Sequence, residues 1–188
     1  VGILKPKDAV NLCAVGPTLR ASGVKNDVRA DDPYAAYDEI PLNVITHDGC
    51  DVLSRTLVRC EEMLESIKII RYALDRMPEG TLRVRAPMKV PQGEVVSRVE
   101  APRGELIHYA KSNGTTKPER YKVRSPTLGN IPALCKMLLG GYVADIPIVL
   151  AGIDPCFACM DRMAFVDIKK NKKWVWTMQQ LRRNYAKK

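Results

Sequence analysis

The 188-residue chain contains no apolar run approaching the roughly 18 residues that a membrane-crossing helix requires. No basic leader followed by an apolar stretch opens it, so a secretory signal is not expected. It has no internal repeat, which excludes a solenoid, and no low-complexity tract. An initiator methionine is also absent: Val1 to Asp8 begins in mid-pattern, and the expectation is a part of a longer polypeptide. Six cysteines without a secretory leader point to a reducing, cytoplasmic setting and away from a disulfide scaffold. What remains is a chain of one-domain size, 46% hydrophobic, able to bury a core.

Thirty Lys and Arg stand against 21 Asp and Glu, a formal net charge of +9. The excess is concentrated at one end. Met163 to Lys188 holds eight basic residues, Lys169, Lys170, Lys172, Lys173, Arg182, Arg183, Lys187 and Lys188, against Asp167 alone, whereas the rest carries 22 basic and 20 acidic residues. A basic tail of this kind is a solvated or interaction segment. No aromatic-basic motif accompanies it, so nucleic acid is not an expected partner.

Local pattern predicts a short helix or turn over Val1 to Val15, then irregular chain through Gly16–Asp32 and on to Pro41. The clearest helix follows, capped by Asp48 or Asp51. Its apolar face is Leu53, Leu57, Cys60, Leu64, Ile67, Ile70 or Arg71, Leu74 and Met77, and Pro78-Glu79-Gly80 ends it. Arg55, Arg59, Glu62, Glu65 and Arg76 form a polar set elsewhere on the helix surface, as in a helix packed in a bundle. Val95–Val99 and Glu105–Ala110 favour strands, with a turn at Ser112-Asn113-Gly114 that returns the chain through Arg120–Arg124 as a hairpin. Asn130 is expected to cap a helix that stops at Gly140-Gly141, and Val143–Gly152 is a second apolar segment. The tail reads as strands Ala164–Ile168 and Trp174–Trp176, then a helix capped by Thr177. The fold class is α+β and mainly helical.

The apolar segment delivers Asp154-Pro155-Cys156-Phe157-Ala158-Cys159-Met160-Asp161-Arg162. Two cysteines separated by two residues can direct both sulfurs at one ion, and Pro155 fixes its own φ while biasing Asp154 toward an extended conformation. Thiolates select soft metals over magnesium or calcium. A closed thiolate site takes about four ligands, so the pair supplies half of one. A redox dithiol and half of a zinc site shared with another chain are the alternatives, although a thioredoxin-like βαβ setting is missing. Cys13, Cys50, Cys60 and Cys135 are isolated and read as small buried apolar residues.

The Asp-Pro-Cys-x-x-Cys loop follows Gly16-Pro17-Thr18-Leu19-Arg20-Ala21-Ser22-Gly23 and Glu100-Ala101-Pro102-Arg103-Gly104-Glu105-Leu106. In that order the three segments resemble the C-terminal half of a nickel-iron hydrogenase large subunit, of the membrane-associated, energy-converting and formate hydrogenlyase type. The same framework resembles the 49-kDa-type subunit of respiratory NADH:quinone oxidoreductase, which has lost the cysteines.

The hydrogenase resemblance implies a helical bundle with a small β-hairpin element and a catalytic domain over 1–162, with 163–188 as a basic extension. It implies that Cys156 and Cys159 are two of four cysteine ligands of a Ni-Fe centre whose iron bears carbon monoxide and cyanide. Cys156 would be a terminal nickel ligand and Cys159 a bridging one. Arg103 would overhang the open side of the metals with Asp154 as its partner, and Thr127 would contact an iron cyanide, turn or helix capping being the competing role. Arg162 stands where many relatives have histidine, which weakens the case for an extra magnesium or iron site. His108 and His47 are read as structural or without a specific role.

Implied partners are the N-terminal half of the large subunit with the other Cys-x-x-Cys, an iron-sulfur small subunit, membrane-arm subunits, and a ferredoxin or formate dehydrogenase module. The implied location is peripheral, on the cytoplasmic face of the membrane. The expected activity is interconversion of H2 with protons and electrons. The alternative is a non-hydrogenase electron-transfer subunit serving quinone or sulfur-compound reduction. Removal of 163–188 during maturation and its retention as a folded tail are both compatible with the sequence.

Overall fold

A computed structural model describes residues 1–160, 163–167, 169 and 171–185. The chain divides into two compact units, Val1–Asp154 and Pro155–Lys188.

In the first unit, three short helices precede one long one. They are α1 (Pro6–Asn11), α2 (Pro17–Arg20) and α3 (Val28–Asp31), followed by α4 (Val52–Asp75). Proline opens α1 and α2, where its missing N–H is not needed. Asp27 caps α3 by accepting from the Arg29 N–H. Asp51 caps α4: its Oδ1 accepts from Ser54 N at 2.8 Å and from Ser54 Oγ at 2.9 Å.

Three antiparallel strands form a meander, β1 (Gly93–Ala101), β2 (Gly104–Ser112) and β3 (Pro118–Arg124). The expected hairpin is therefore present with a further strand pairing, and the tighter of its two turns is Pro102-Arg103, since Ala101 pairs with Gly104. His108 meets the Tyr121 hydroxyl across β2 and β3, a structural role. Then come α5 (Pro126–Leu138), a short 3-10 turn and α6 (Ile146–Gly152). The apolar core joins α1, α2, α5 and α6 through Leu4, Ala9, Leu19, Leu134, Val149 and Ile153.

Several sequence expectations change here. Gly16–Asp32 is not a surface loop: Pro17 to Ser22 are all buried, and α2 and α3 supply its backbone hydrogen bonds. Asn130 does not cap α5 but lies buried within it, because its side chain is taken by the backbone of Val15 at both Oδ1 (2.9 Å from Val15 N) and Nδ2 (3.2 Å to Val15 O). Ser125 holds the N-cap position. Cys13, Cys60 and Cys135 are exposed and Cys50 half-buried, rather than core residues.

The largest departure concerns α4. The stripe that reads as its packing face is outside: Leu53, Leu57, Leu64, Ile67 and Leu74 are 40–63% exposed. The buried residues are Ser54, Arg55, Val58, Glu65 and Ile69. Periodicity reports that an apolar face exists, not which neighbour meets it. Within this unit the inward face is satisfied by charge pairing and by backbone carbonyls instead.

In the second unit, a 3-10 turn (Phe157–Met160) precedes β4 (Met163–Asp167), β5 (Lys172–Trp176) and α7 (Met178–Tyr185). β4 and β5 pair antiparallel, Phe165 opposite Trp174. Thr177 caps α7 as expected, with Oγ1 accepting from Gln180 N at 3.3 Å while Gln180 Oε1 accepts from Thr177 N at 2.9 Å. Arg162, Lys170, Lys187 and Lys188 lie outside the described residues.

Candidate functional site

The hairpin tip that carries Arg103 is locked to the Gly16 loop by a contact only glycines permit. A Cβ on Gly16 would lie 2.3 Å from Gly104 Cα, and one on Gly104 would lie 2.8 Å from Gly16 N. Both glycines also have positive φ, +65° and +124°. The backbones of the Gly-Pro-Thr and Pro-Arg-Gly segments touch directly, so side chains cannot enter between them.

From that tip Arg103 grips Asp154 twice. Its Nε donates to the Asp154 carbonyl at 2.7 Å and its Nη2 to Asp154 Oδ1 at 3.2 Å. The pairing expected between these two residues is present. The backbone of Asp154 differs from expectation: φ is +52°, left-handed rather than extended, despite Pro155. Helix termination accounts for it. Asp154 N donates to Ala151 O at 2.9 Å, closing the end of α6 with a left-handed residue, a conformation aspartate tolerates better than most.

Beneath the hairpin tip lies a buried charge cluster. Arg20 is 1% exposed and reaches α4, β1 and the loop before α3: Nε donates to Glu62 at 2.6 Å, and Nη1 donates to Glu100 and to the Asn26 carbonyl, each at 2.9 Å. Asp27 completes the set, 3.5 Å from Arg20 and 2.6 Å from Arg29. Burial opposes the Arg20 charge, but Glu100 and Glu62 more than offset it and hold the guanidinium above its ordinary value. Glu100 is pushed up by burial, and Asp27 is pulled down against burial by its bond to Arg29. A cavity of ≈ 490 Å³ opens here, its wall including Arg20, Arg59, Glu62, Glu100, Pro102 and Asp154.

On the inward side of α4, Arg55 and Arg59 have no carboxylate in an ion pair among the described residues. Arg55 is fully buried and donates to Gly2 O at 2.6 Å and Cys50 O at 3.3 Å; burial and then the charge of Arg59 push its pKa down to about 10. Arg59 is likewise pushed down by burial, against the attraction of Asp154 and Glu62. It donates to Arg55 O at 2.9 Å, while its Nε and Nη2 are buried without a hydrogen-bond partner among the described residues. Sequence reasoning places Arg55, Arg59 and Glu62 on a polar surface, and Arg20 in a loop. The available signal is Arg20 itself, set between Leu19 and Ala21 in a segment too apolar for solvent.

Thr127, in the first turn of α5, is 1% exposed, so its hydroxyl faces the interior of the first unit. Ser125 Oγ and Thr18 Oγ1 are buried hydroxyls without a partner among the described residues. Cys156 and Cys159 belong to the second unit, where the Cys159 N–H donates to the Cys156 carbonyl at 3.1 Å and the two sulfurs lie 2.9 Å apart. The turn thus gathers the thiols into one bidentate donor pair, which fits a soft metal. Among the described residues, no group of three or more His, Cys, Asp or Glu side chains is placed to hold a metal ion. The pair fits as half of a thiolate site.

This arrangement, a helical body with a glycine-locked arginine hairpin and a dithiol turn, has clear relatives. The family of the respiratory-chain NADH dehydrogenase 49 Kd subunit matches residues 1–89 and 83–162, and the chain belongs to that family. It is 44% identical over 162 residues to the carbon monoxide-induced hydrogenase of Rhodospirillum rubrum, covering 86% of this chain and 45% of that protein. Against formate hydrogenlyase subunit 5 of Escherichia coli K12 the identity is 39% over 183 residues, 97% of this chain and 32% of that one. An NADH-quinone oxidoreductase subunit of Dehalococcoides mccartyi is 44% identical over 164 residues, 86% of this chain and 45% of the relative. A chain in the solved structure of the membrane-bound sulfane sulfur reductase, an archaeal respiratory membrane complex, superposes with a TM-score of 0.77 at 36% identity, over 83% of this chain and 44% of that one. The chain spans under half the length of each of these relatives.

Proposed function

We propose that this chain is part of the catalytic large subunit of a nickel-iron hydrogenase, with Cys156 and Cys159 as two of the four cysteine ligands of the metal centre. The observation that carries the reading is the convergent thiol pair, with sulfurs 2.9 Å apart, Cys156 just before a 3-10 turn and Cys159 within it. Similarity to the formate hydrogenlyase subunit over 97% of the chain supports it, since 183 aligned residues reach into the basic tail. When bound, a Ni-Fe centre with carbon monoxide and cyanide on iron supplies the redox chemistry that interconverts H2 with protons and electrons.

The residues of the chain act around that chemistry. Arg103, fixed at the hairpin tip and held by Asp154, presents a positive charge of set orientation for polarising hydrogen. Thr127 offers a buried hydroxyl for a cyanide ligand. The other two cysteines come from the remaining half of the large subunit, and electrons leave through iron-sulfur clusters of a small subunit, toward a ferredoxin or formate dehydrogenase module. No helix among the described residues is long and apolar enough to cross a membrane. Attachment to membrane-arm subunits, on the cytoplasmic face, belongs to the same reading.

A second reading is favoured by the NADH-quinone oxidoreductase relatives and the sulfane sulfur reductase likeness: an electron-transfer subunit in which the same framework serves quinone or sulfur-compound reduction. Cysteine variants separate the two. Cys156→Ser or Cys159→Ser in the purified complex is expected to remove nickel and H2 turnover together, because an alcohol is a poor soft-metal ligand at neutral pH. Wild-type nickel content and turnover in either variant would overturn the hydrogenase reading.

A further inference from the structure

Residues 81–92 carry a strand pattern without a strand. Leu82, Val84, Ala86, Met88 and Val90 alternate with Arg83, Arg85, Pro87 and Lys89, the period of two that puts apolar and basic side chains on opposite faces of an extended chain. No acidic residue interrupts the stretch. It lies between α4 and β1, and neither sheet among the described residues includes it. All of its residues are exposed, Leu82 completely, Val84 by 82% and Met88 by 87%. Ser112 Oγ donates to Val90 O at 3.1 Å, which ties the far end of this arm to the end of β2.

We propose that residues 82–88 dock by adding as a strand to an exposed sheet edge of another subunit of the complex, an edge whose strand alternates apolar residues with Asp or Glu. The prolines select the register. In an extended chain the N–H and C=O groups of alternate residues point to the same side, so those of Leu82, Val84, Ala86 and Met88 form one bonding edge. Pro87 falls on the other edge with Arg83 and Arg85, where its missing N–H costs no ladder bond, and it biases Ala86 toward the extended conformation that pairing needs. Charge complementarity defines the partner, because carboxylates opposite Arg83 and Arg85 form cross-strand pairs on one face while the apolar residues meet on the other. A lipid surface fits less well: an apolar face sunk in a bilayer would hold the basic face away from the headgroups. The family match is in two pieces that meet here, 1–89 and 83–162. A break of that kind marks a surface connection whose length differs between members, which favours a subunit particular to its complex over the shared remainder of the large subunit. The inference holds whether the complex reduces protons, quinone or sulfur compounds.

The purified native complex tests it. Amide hydrogen exchange resolved to single residues is expected to be about 100-fold slower at Val84, Ala86 and Met88 than at Arg83 and Arg85. Uniformly fast exchange, or protection without alternation, would overturn the added strand. Carbodiimide, which joins an amine to a carboxylate in contact with it, is expected to link Lys89 to an Asp or Glu of another subunit. A link confined to the large subunit or to a second copy, or no link, the outcome for an arm lying on lipid, would overturn the partner. Proline variants check the register. Val84→Pro removes a donor from the bonding edge and is expected to lower recovery of the linked subunit with the complex about tenfold. Arg85→Pro lies on the free edge and should match Arg85→Ala. Both positions are exposed and outside every helix and strand, so the body of the chain is undisturbed and retention of the other subunits is the control. Equal losses from the two proline variants would refute the register.

Discussion

Asp154 is where the chain concentrates constraint. A non-glycine residue in the left-handed region, directly before proline, is held by its own N–H to Ala151 and by two bonds from Arg103. Lysine at 103 would keep the charge but not the planar fork that reaches carbonyl and carboxylate at once. If Arg103 works as proposed, Arg103→Lys retains nickel and iron while losing most H2 activity; loss of both metals would make it a clamp for the loop alone. Gly104 is tested separately. Gly104→Ala places a methyl within 3 Å of the Gly16 backbone at a φ that alanine avoids, and is expected to destabilise the chain by about 1–3 kcal/mol, read from a denaturant midpoint. An unchanged midpoint would mean the two loops part without cost.

At the scale of elements, α4 is the clearest link between sequence and structure and also the clearest mismatch. Its existence and its stop before Pro78 were legible, and Asp51 was one of two caps expected. Which face it buries was not, because Arg55 is satisfied by carbonyls of Gly2 and Cys50, and Glu62 by Arg20, partners distant in sequence. The same limit hid the buried role of Asn130, whose partner Val15 is 115 residues away. Strands β1 and β2 and the tail elements were legible because alternation and turn residues are local signals. The pairing of Arg103 with Asp154 was legible only through the family resemblance.

The α4 cap also gives a pH test. The N–H of Ser54 holds the Asp51 carboxyl below its ordinary range, so its stabilising contribution is present above the unfolded value of about 4 and fades as pH falls through the lower folded value. Asp51→Ala is expected to cost about 1 kcal/mol at neutral pH, with the gap to wild type closing in acid. A gap independent of pH would show that the carboxylate is not the capping group.

For the whole molecule, charge is divided unevenly: a nearly balanced body whose buried arginines are paired or capped by carbonyls, and a strongly basic tail folded as a strand pair and a helix. The division fits a subunit embedded among partners, with the apolar stripe of α4 exposed and Lys169, Lys172, Lys173, Arg182 and Arg183 exposed in the second unit. The central claim is that the dithiol turn holds half of a nickel site, and nickel itself is the direct measure. Metal analysis of the purified native complex is predicted to find one nickel per copy of this chain, lost in Cys156→Ser. A nickel-free complex that retains full electron-transfer activity would contradict it.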